Sequence, residues 1–384
     1  MKFQKSKVLL ISFAHFTHDI FSSLLAPILP LLIEKLGISL SQASLLDIAR
    51  KIPSLFNPLL GLVAERKDAK YFVILTPAVT AAAMGLLSVT SSYAVALFLL
   101  FIAGISAAFF HIPAPSIIKE FSGNESGKGM SYFMAAGESA RTAGPLLAAG
   151  AISVWGLDGI WKLTPIGILS SLFLYYKLQN YKTSFRAKKF EKGEIKKTLN
   201  EVKGFFGALS AYIMLNYTSK FSISLFLPLF LTKHGFSVEK AGIAFGVLQG
   251  FGILGALFAG RFSDKIGRVK MLFLSSVGSF LFLTLFLMFF KSALWILLAP
   301  LGFFLFSQSP VLLASVHDIK TKTPTFLNSI YMAVNFGVSS LIVYIAGVLG
   351  ERIGLFKTFE ISAAFTLLSI ITLLKLSKYL SHHS

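Results

Sequence analysis

Long apolar runs separated by short polar breaks dominate the chain. The runs 71–90 and 271–290 each approach the ~20 residues that a helix needs to cross a bilayer core of about 30 Å. Breaks at charged residues and at clusters of Gly, Pro or Ser divide the sequence into twelve apolar segments. These segments are 8–33, 40–63, 71–90, 93–118, 129–154, 157–178, 205–232, 237–260, 269–290, 293–316, 325–349 and 353–376. The pattern predicts an all-α integral membrane protein with twelve transmembrane helices.

The longest polar stretch, 179–204, separates two sets of six segments. It predicts an amino-terminal six-helix bundle over 1–178, a cytoplasmic linker over 179–204 and a carboxy-terminal six-helix bundle over 205–384. The halves also repeat, since 61–66 after the second segment resembles 260–265 after the eighth, 199 residues later. Two repeated halves are typical of secondary transporters, which bind substrate between them near the bilayer midplane. We therefore expect alternating access to one such site.

Composition and charge narrow the class of protein further. Of the 384 residues, 55% are hydrophobic and only 14% are charged, with a mean hydropathy of +0.74. Soluble domains carry roughly 25% charged residues, so a soluble enzyme is excluded. The net charge of +19 would suit nucleic acid, but 25 of the 36 Lys and Arg residues fall on one side when both termini are cytoplasmic. That bias is the positive-inside rule, and we expect no nucleic-acid partner.

Motifs for catalysis and metal binding are absent from the sequence. It has no cysteine, no phosphate-binding loop, no zinc-type spacing and no nucleophile motif. We therefore expect no enzymatic activity, no cofactor and no metal ion. The partners that remain are a small-molecule substrate, protons and membrane lipids.

A charged motif follows the eighth segment. It combines a glycine, an aspartate four residues later, a basic residue, a second glycine and further basic residues. The motif residues are Gly260, Asp264, Lys265, Gly267 and Arg268. This motif resembles the signature of the major facilitator superfamily, and the resemblance implies a cytoplasmic latch that favours the outward-facing state. In the first half the copy departs from this pattern, with Glu65 for the aspartate and Asp68 for the second glycine.

Two further resemblances lie in the first half of the chain. Gly144-Pro145 in the fifth segment resembles the helix kink of the drug/proton antiporters of the superfamily. His15 and Asp19 in the first segment, with Phe-His-Ile-Pro around His111 in the fourth, resemble the fosmidomycin-resistance branch, although Ile112 separates the histidine from the proline. The branch resemblance implies export of small antimicrobial compounds in exchange for protons. It also implies a monomeric protein of the bacterial inner membrane.

Charged residues inside the predicted spans are candidates for the transport site. A charge at the bilayer centre costs about 2.5–3.5 kcal/mol on insertion scales, so it usually has a partner or faces water. Asp19 lies ~16 Å into the first helix at 1.5 Å per residue, and His15 lies one turn before it. The pair either carries the coupling proton or fixes the helix structurally. His111 either joins this proton path or bonds to a backbone carbonyl.

Two pairs spaced by three residues can each close within one helix, Glu138 with Arg141 and Asp47 with Arg50. Each pair is either structural or functional. If Arg141 faces the substrate site, protonation of Glu138 would release Arg141 to bind an anion. Glu138 is then as good a candidate for the proton carrier as Asp19, and the sequence does not choose between them. We expect Arg141 and Arg50 to contact substrate.

Lys220 and Asn216 lie one turn apart in the seventh segment, and we expect both to contact substrate. Four basic residues against three acidic ones inside the spans favour an anionic or amphiphilic substrate. An uptake symporter for an organic anion and a lipid or lysolipid transporter remain alternatives. A receptor or scaffold without turnover is disfavoured, because no connection exceeds about 26 residues.

Overall fold

The computed structural model describes residues 3–57, 70–181, 193–319 and 324–380, and regular structure in these residues is helical. The first-half motif copy at 61–66 lies outside them. The helices are α1 (Lys5–Ser22), α2 (Leu25–Leu36), α3 (Leu40–Leu55), α4 (Lys70–Val89), α5 (Tyr93–His111), α6 (Ala114–Ser122), α7 (Ser126–Trp155), α8 (Thr164–Leu178), α9 (Glu194–Lys233), α10 (Val238–Ile266), α11 (Arg268–His317), α12 (Pro324–Ile353) and α13 (Leu355–Leu380). The described part of every predicted apolar segment falls on one or two of these helices; for the segment 40–63 that part ends at residue 57.

Local sequence sets several of the helix ends. Ser39 caps the amino terminus of α3 in a reciprocal pair with Gln42, and the Ser92 hydroxyl caps α5. Gly37 ends α2 with a φ of 60°, a left-handed conformation that glycine adopts without strain. In α11, Phe289 and Ala293 have non-helical angles, so the ninth and tenth segments meet at a kink there. The first segment breaks between α1 and α2.

Seven helical stretches among the described residues are long and apolar enough to cross a membrane. The number rises to eight when the pair Lys128–Trp155 and Asp158–Leu178, bent by 116°, is included as one broken span. Large apolar side chains remain exposed on these helices, with Val154, Tyr176 and Ile296 exposed by 69%, 68% and 76%. Such surfaces suit contact with lipid rather than water.

The chain forms two compact units. The first comprises 1–188 with 231–246, and the second comprises 189–230 with 247–384. In the first unit α1 packs against α4 and α7, while α4 packs against α5 and α8. In the second unit α11 packs against α13. The predicted division at 179–204 stays a prediction.

Candidate functional site

A buried carboxylate, that of Asp19, lies within the first unit. Asp19 on α1 has 5% of its side chain exposed. Its Oδ2 lies 3.3 Å from Nε2 of His15, one turn earlier on α1, and its Oδ1 lies 3.4 Å from Nε2 of His111 at the end of α5. The Nε of Arg141 on α7 lies 3.7 Å from Oδ2. Three helices therefore bring cationic or titratable groups to one carboxylate.

Small residues on α7 allow α1 to approach this closely. A Cβ at Gly137 would meet three atoms of the His15 ring, and a Cβ at Gly144 would lie 2.7 Å from the carbonyl oxygen of Ile20. The His15 ring stacks on Phe133 with centroids 4.0 Å apart. Glycines at a helix interface permit such close packing within membranes. They place the imidazole of His15 between the two helices.

The hydrogen bonding of His15 fixes which of its nitrogens faces Asp19. Its Nδ1 lies 2.8 Å from the carbonyl oxygen of Phe133. A carbonyl oxygen only accepts hydrogen bonds, so Nδ1 carries a proton and donates it. In a neutral imidazole Nε2 then presents a lone pair to the carboxylate oxygen. The contact between Nε2 of His15 and Oδ2 of Asp19 becomes favourable when a proton or another cation lies between these two atoms.

His18 is a third imidazole at the carboxylate and is not among the residues predicted for the site. Its Nε2 lies 4.0 Å from Oδ1 of Asp19 and has no hydrogen-bond partner in the described part of the chain. Its Nδ1 lies 3.1 Å from Oγ1 of Thr80, which lies 2.8 Å from Oγ of Ser106. Ser106 donates to the carbonyl of Thr76 at 3.1 Å. The signal that would have found His18 is its position beside a buried aspartate.

Arg141 joins the two candidate proton carriers. Its Nη1 lies 2.8 Å from Oε1 of Glu138 on the same helix, while its Nε faces Asp19. The side chains of Arg141, His111 and Glu138 are 48%, 39% and 27% exposed, so this side of the cluster is open. Asp19 and Glu138 thus belong to one charge network, which sequence spacing alone does not show.

The predicted latch residues lie at the junction of α10 and α11. Nη1 of Arg268 lies 2.5 Å from Oδ1 of Asp264 and 2.5 Å from Oγ of Ser263. Its Nε donates to Oδ2 of Asp318 at 3.1 Å, a partner that the sequence analysis missed. Gly267 begins α11 with a φ of 94°, which favours glycine. One guanidinium therefore ties both ends of α11 and the end of α10 together.

The other two motif residues, Gly260 and Lys265, make fewer contacts than Arg268. The carbonyl of Gly260 accepts a hydrogen bond from the Ser263 hydroxyl at 2.7 Å, and Lys265 is exposed. The latch function of the motif stays a prediction.

Comparison with known proteins identifies the family. The model of the Major Facilitator Superfamily matches residues 11–252 and 209–382. The chain belongs to the major facilitator superfamily. It is therefore a transporter rather than an enzyme, and the predicted fold class, an all-helical membrane protein of this superfamily, is confirmed.

A relative of known function and two solved structures are similar to this chain. The chain is 24% identical over 378 residues to the fosmidomycin resistance protein of Escherichia coli (strain K12), covering 94% of this chain and 91% of that protein. A bacterial homologue of the human lysosomal transporter Spinster, inward-facing and occupied, superposes with a TM-score of 0.81 at 14% identity over 100% and 99% of the two chains. A D-xylose–proton symporter gives 0.69 at 14% identity over 96% and 97%.

A second ion-pair cluster of this major facilitator protein lies on α3. Nη2 of Arg50 lies 2.8 Å from Oδ1 of Asp47, and Nζ of Lys51 lies 2.6 Å from Oδ2. Arg50 also donates from Nη1 to the carbonyl of Ser22 at 2.5 Å. These bonds tie α3 to the break between α1 and α2, which favours the structural alternative for this pair. A substrate contact by Arg50 stays a prediction.

In the second unit of this facilitator, aromatic rings surround Lys220. Its Nζ donates to Oγ of Ser309 at 2.5 Å. The ammonium also lies 4.7, 5.6 and 5.1 Å from the ring centroids of Tyr217, Phe221 and Phe306. Ring faces attract cations within about 6 Å. The charge is therefore stabilised inside an apolar bundle.

Asn216, one turn before Lys220, is buried within α9. Its amide donates to Oγ of Ser276 at 2.8 Å and to Oγ of Ser369 at 2.9 Å. Both amide hydrogens are thus engaged by neighbouring helices, an arrangement that favours a packing role. Contact between Asn216 and substrate stays a prediction.

The Gly-Pro element of this facilitator lies inside α7, which continues helically through Pro145. On α10, a Cβ at Gly242 would lie 3.1 Å from that of Ala149, and one at Gly246 would lie 2.9 Å from Leu146. Gly242 and Gly246 of the eighth segment therefore lie against α7 beside Pro145. The kink itself stays a prediction.

Proposed function

We propose that the protein exports small anionic or amphiphilic antimicrobial compounds in exchange for protons, with the Asp19 cluster as its proton site. The charge balance of that cluster carries the proposal. Asp19 and Glu138 bring two negative charges, whereas Arg141 brings one positive charge, so the network has an excess of one negative charge while the histidines are neutral. An uncompensated charge deep in a membrane costs several kcal/mol, and one bound proton removes it.

The hydrogen bonding of His15 supports a position for this proton between His15 and Asp19. Because Nδ1 of His15 donates to a carbonyl, its Nε2 and the Asp19 carboxylate meet through acceptor atoms. One proton between them converts an unfavourable contact into a hydrogen bond. His111, which contacts the same carboxylate and is partly exposed, provides the path by which the proton arrives.

The proton gradient is sufficient for export. One proton crossing ~100 mV releases about 2.3 kcal/mol, and one pH unit adds about 1.4 kcal/mol. Together they support a substrate gradient of several hundred-fold, since each 1.4 kcal/mol corresponds to a factor of ten.

Substrate chemistry is inferred from two cations, the half-exposed Arg141 and the partly buried Lys220. Arg141 presents almost half of its surface beside the proton site, and Lys220 presents an ammonium among aromatic rings. A compound with an anionic group and an apolar body suits both environments. The curated relative is a fosmidomycin resistance protein, which supports an antimicrobial substrate.

The cellular setting is part of the same proposal. The Lys and Arg bias supports cytoplasmic termini, and the bacterial relative supports the inner membrane. We propose a monomer, because a single chain of this superfamily contains both halves of the transporter.

Proteoliposomes test the proton site directly. We expect Asp19→Asn to abolish substrate flux driven by an imposed pH gradient, and Glu138→Gln to reduce it, since each removes negative charge from the network. Glu360→Gln is the matched control, because Glu360 is an exposed acid that pairs with Lys357 in the second unit. Unfolding temperatures of all variants distinguish lost coupling from lost folding. Wild-type coupled flux in both Asp19→Asn and Glu138→Gln would refute the assignment.

The direction of transport needs a separate experiment. Deleting the gene should sensitise bacteria to the exported compound. Deletion that instead abolishes growth on an organic anion would favour the uptake alternative.

A further inference from the structure

The Asp19 cluster has a second property that proton coupling does not require. Three donor atoms, from His15, Asp19 and His111, lie within 4.8 Å of one another. Imidazole nitrogen and carboxylate oxygen are the ligands that Zn²⁺ and related ions prefer in proteins. Their sequence positions give no metal-type spacing, because the donors meet only when α1 and α5 pack.

The distances around Asp19 are compatible with a metal ion. Charge-assisted hydrogen bonds between nitrogen and carboxylate oxygen are about 2.7–2.9 Å long. Nε2 of His15 lies 3.3 Å from Oδ2 of Asp19, and Nε2 of His111 lies 3.4 Å from Oδ1. Ligand atoms about 2.0–2.2 Å from a tetrahedral Zn²⁺ lie about 3.3–3.6 Å from one another. Both separations are therefore longer than ordinary charge-assisted hydrogen bonds, and a small movement of the donors, which already lie within 4.8 Å of one another, would form a metal coordination shell.

The outer contacts of the imidazoles also match those of metal ligands. Metal-binding histidines usually donate their second ring N–H to a carbonyl or another polar group, which orients the ring. Nδ1 of His15 donates to the carbonyl of Phe133 at 2.8 Å. Its Nε2 is buried and has no hydrogen-bond partner in the described residues, although Asp19 is adjacent. The His111 side chain is 39% exposed, so its ring has room to move towards the donor atoms of His15 and Asp19.

We propose that His15, Asp19 and His111 bind one divalent transition-metal ion of the Zn²⁺ type at the position of the coupling proton. Three protein ligands leave a fourth position for water, as in open zinc sites. Arg141 opposes the ion, since its Nε lies 3.7 Å from the same carboxylate. Proton, Arg141 and metal ion therefore compete for Asp19, and the ion inhibits coupled transport.

Isothermal titration of the purified full-length protein in detergent with ZnCl₂ tests the site without any transport. We expect one saturable equivalent, at least tenfold weaker binding in His111→Gln, and no comparable binding of MgCl₂, which prefers oxygen ligands. His317→Gln is the control, because His317 is exposed at the end of α11. A second control replaces both His382 and His383, adjacent histidines at the carboxyl terminus. Both controls should retain the tight equivalent.

The variant Arg141→Gln should change the Zn²⁺ affinity in the opposite direction to His111→Gln. Removal of the guanidinium should tighten Zn²⁺ binding several-fold, whereas loss of a merely structural ion pair would not. Absence of a stoichiometric equivalent, equal affinity in His111→Gln, or unchanged affinity in Arg141→Gln would overturn the proposal. Unfolding temperatures measured without metal confirm that each variant is folded. Because binding is measured directly, the metal site and the proton coupling can fail independently.

Discussion

A methyl group at Gly137 offers the sharpest test of the site geometry. In the structure, a Cβ on this residue would lie 2.5 Å from Nε2 of His15 and 2.9 Å from its Nδ1. Side-chain Cβ atoms essentially never approach other atoms within 3.0 Å, so Gly137→Ala must displace the ring or separate α1 from α7. Either movement breaks the 2.8 Å hydrogen bond between His15 and the carbonyl of Phe133.

The expected change in the free energy of unfolding combines two destabilising effects and one stabilising effect. Leaving a buried polar group unsatisfied costs about 1–3 kcal/mol, and overpacking of a tight interface costs about 1–3 kcal/mol. Alanine is favoured over glycine within a helix by about 1 kcal/mol, which offsets part of that loss. We therefore expect Gly137→Ala to lower the free energy of unfolding by about 1–5 kcal/mol and to abolish proton-driven transport.

Gly150→Ala on the same helix is the matched control. A Cβ at Gly150 meets nothing within 4 Å, so only the propensity gain applies and the unfolding temperature should rise slightly. Both variants are compared by thermal unfolding in detergent and by pH-driven flux in liposomes. Wild-type stability and coupling in Gly137→Ala would refute the placement of His15 against α7.

Three further substitutions test other contacts. Lys70→Met should lower the free energy of unfolding by about 1.5–3 kcal/mol, because the buried ammonium donates to the carbonyls of Gln179 and Tyr181 at 2.7 and 2.6 Å. Thermal unfolding checks this expectation, with Lys357→Met, which replaces an exposed lysine, as the control. Arg268→Gln should slow transport while leaving substrate affinity nearly unchanged, as kinetics against equilibrium binding would show. Lys220→Met should raise the KM for anionic substrates selectively, and Lys220→Arg should restore part of it; an equal effect on neutral analogues would contradict the assigned role.

The spans and the local charge pairs could be predicted because both depend on short-range spacing. Apolar runs near the length of a bilayer crossing identify the helices without any tertiary information. His15 with Asp19, and Arg141 with Glu138, lie three or four residues apart and therefore share a helix face. The structure places both pairs in contact, at 3.3 and 2.8 Å.

The partners that join different helices could not be predicted in this way. Contact between Asp19 and Arg141 depends on the closeness of α1 and α7, which glycines on α7 permit but sequence spacing does not measure. Asn216 is a second such case, because its hydrogen-bond partners lie on other helices. Its partners, Ser276 and Ser369, lie 60 and 153 residues away along the chain.

The sign of the coupling between proton and substrate follows from which member of the network the substrate contacts. Binding linkage is reciprocal, so a substrate that lowers proton affinity is itself released by protons, as exchange requires. A substrate that places a cationic or donor group on Asp19 displaces the proton. An anion that contacts only Arg141 leaves the carboxylates less compensated and draws a proton in, which favours symport, so the proposed exchange requires that the anionic substrate also places a donor group on Asp19. Proton release on substrate binding, measured with an indicator dye in weak buffer, is therefore expected for an exporter, and proton uptake would contradict exchange.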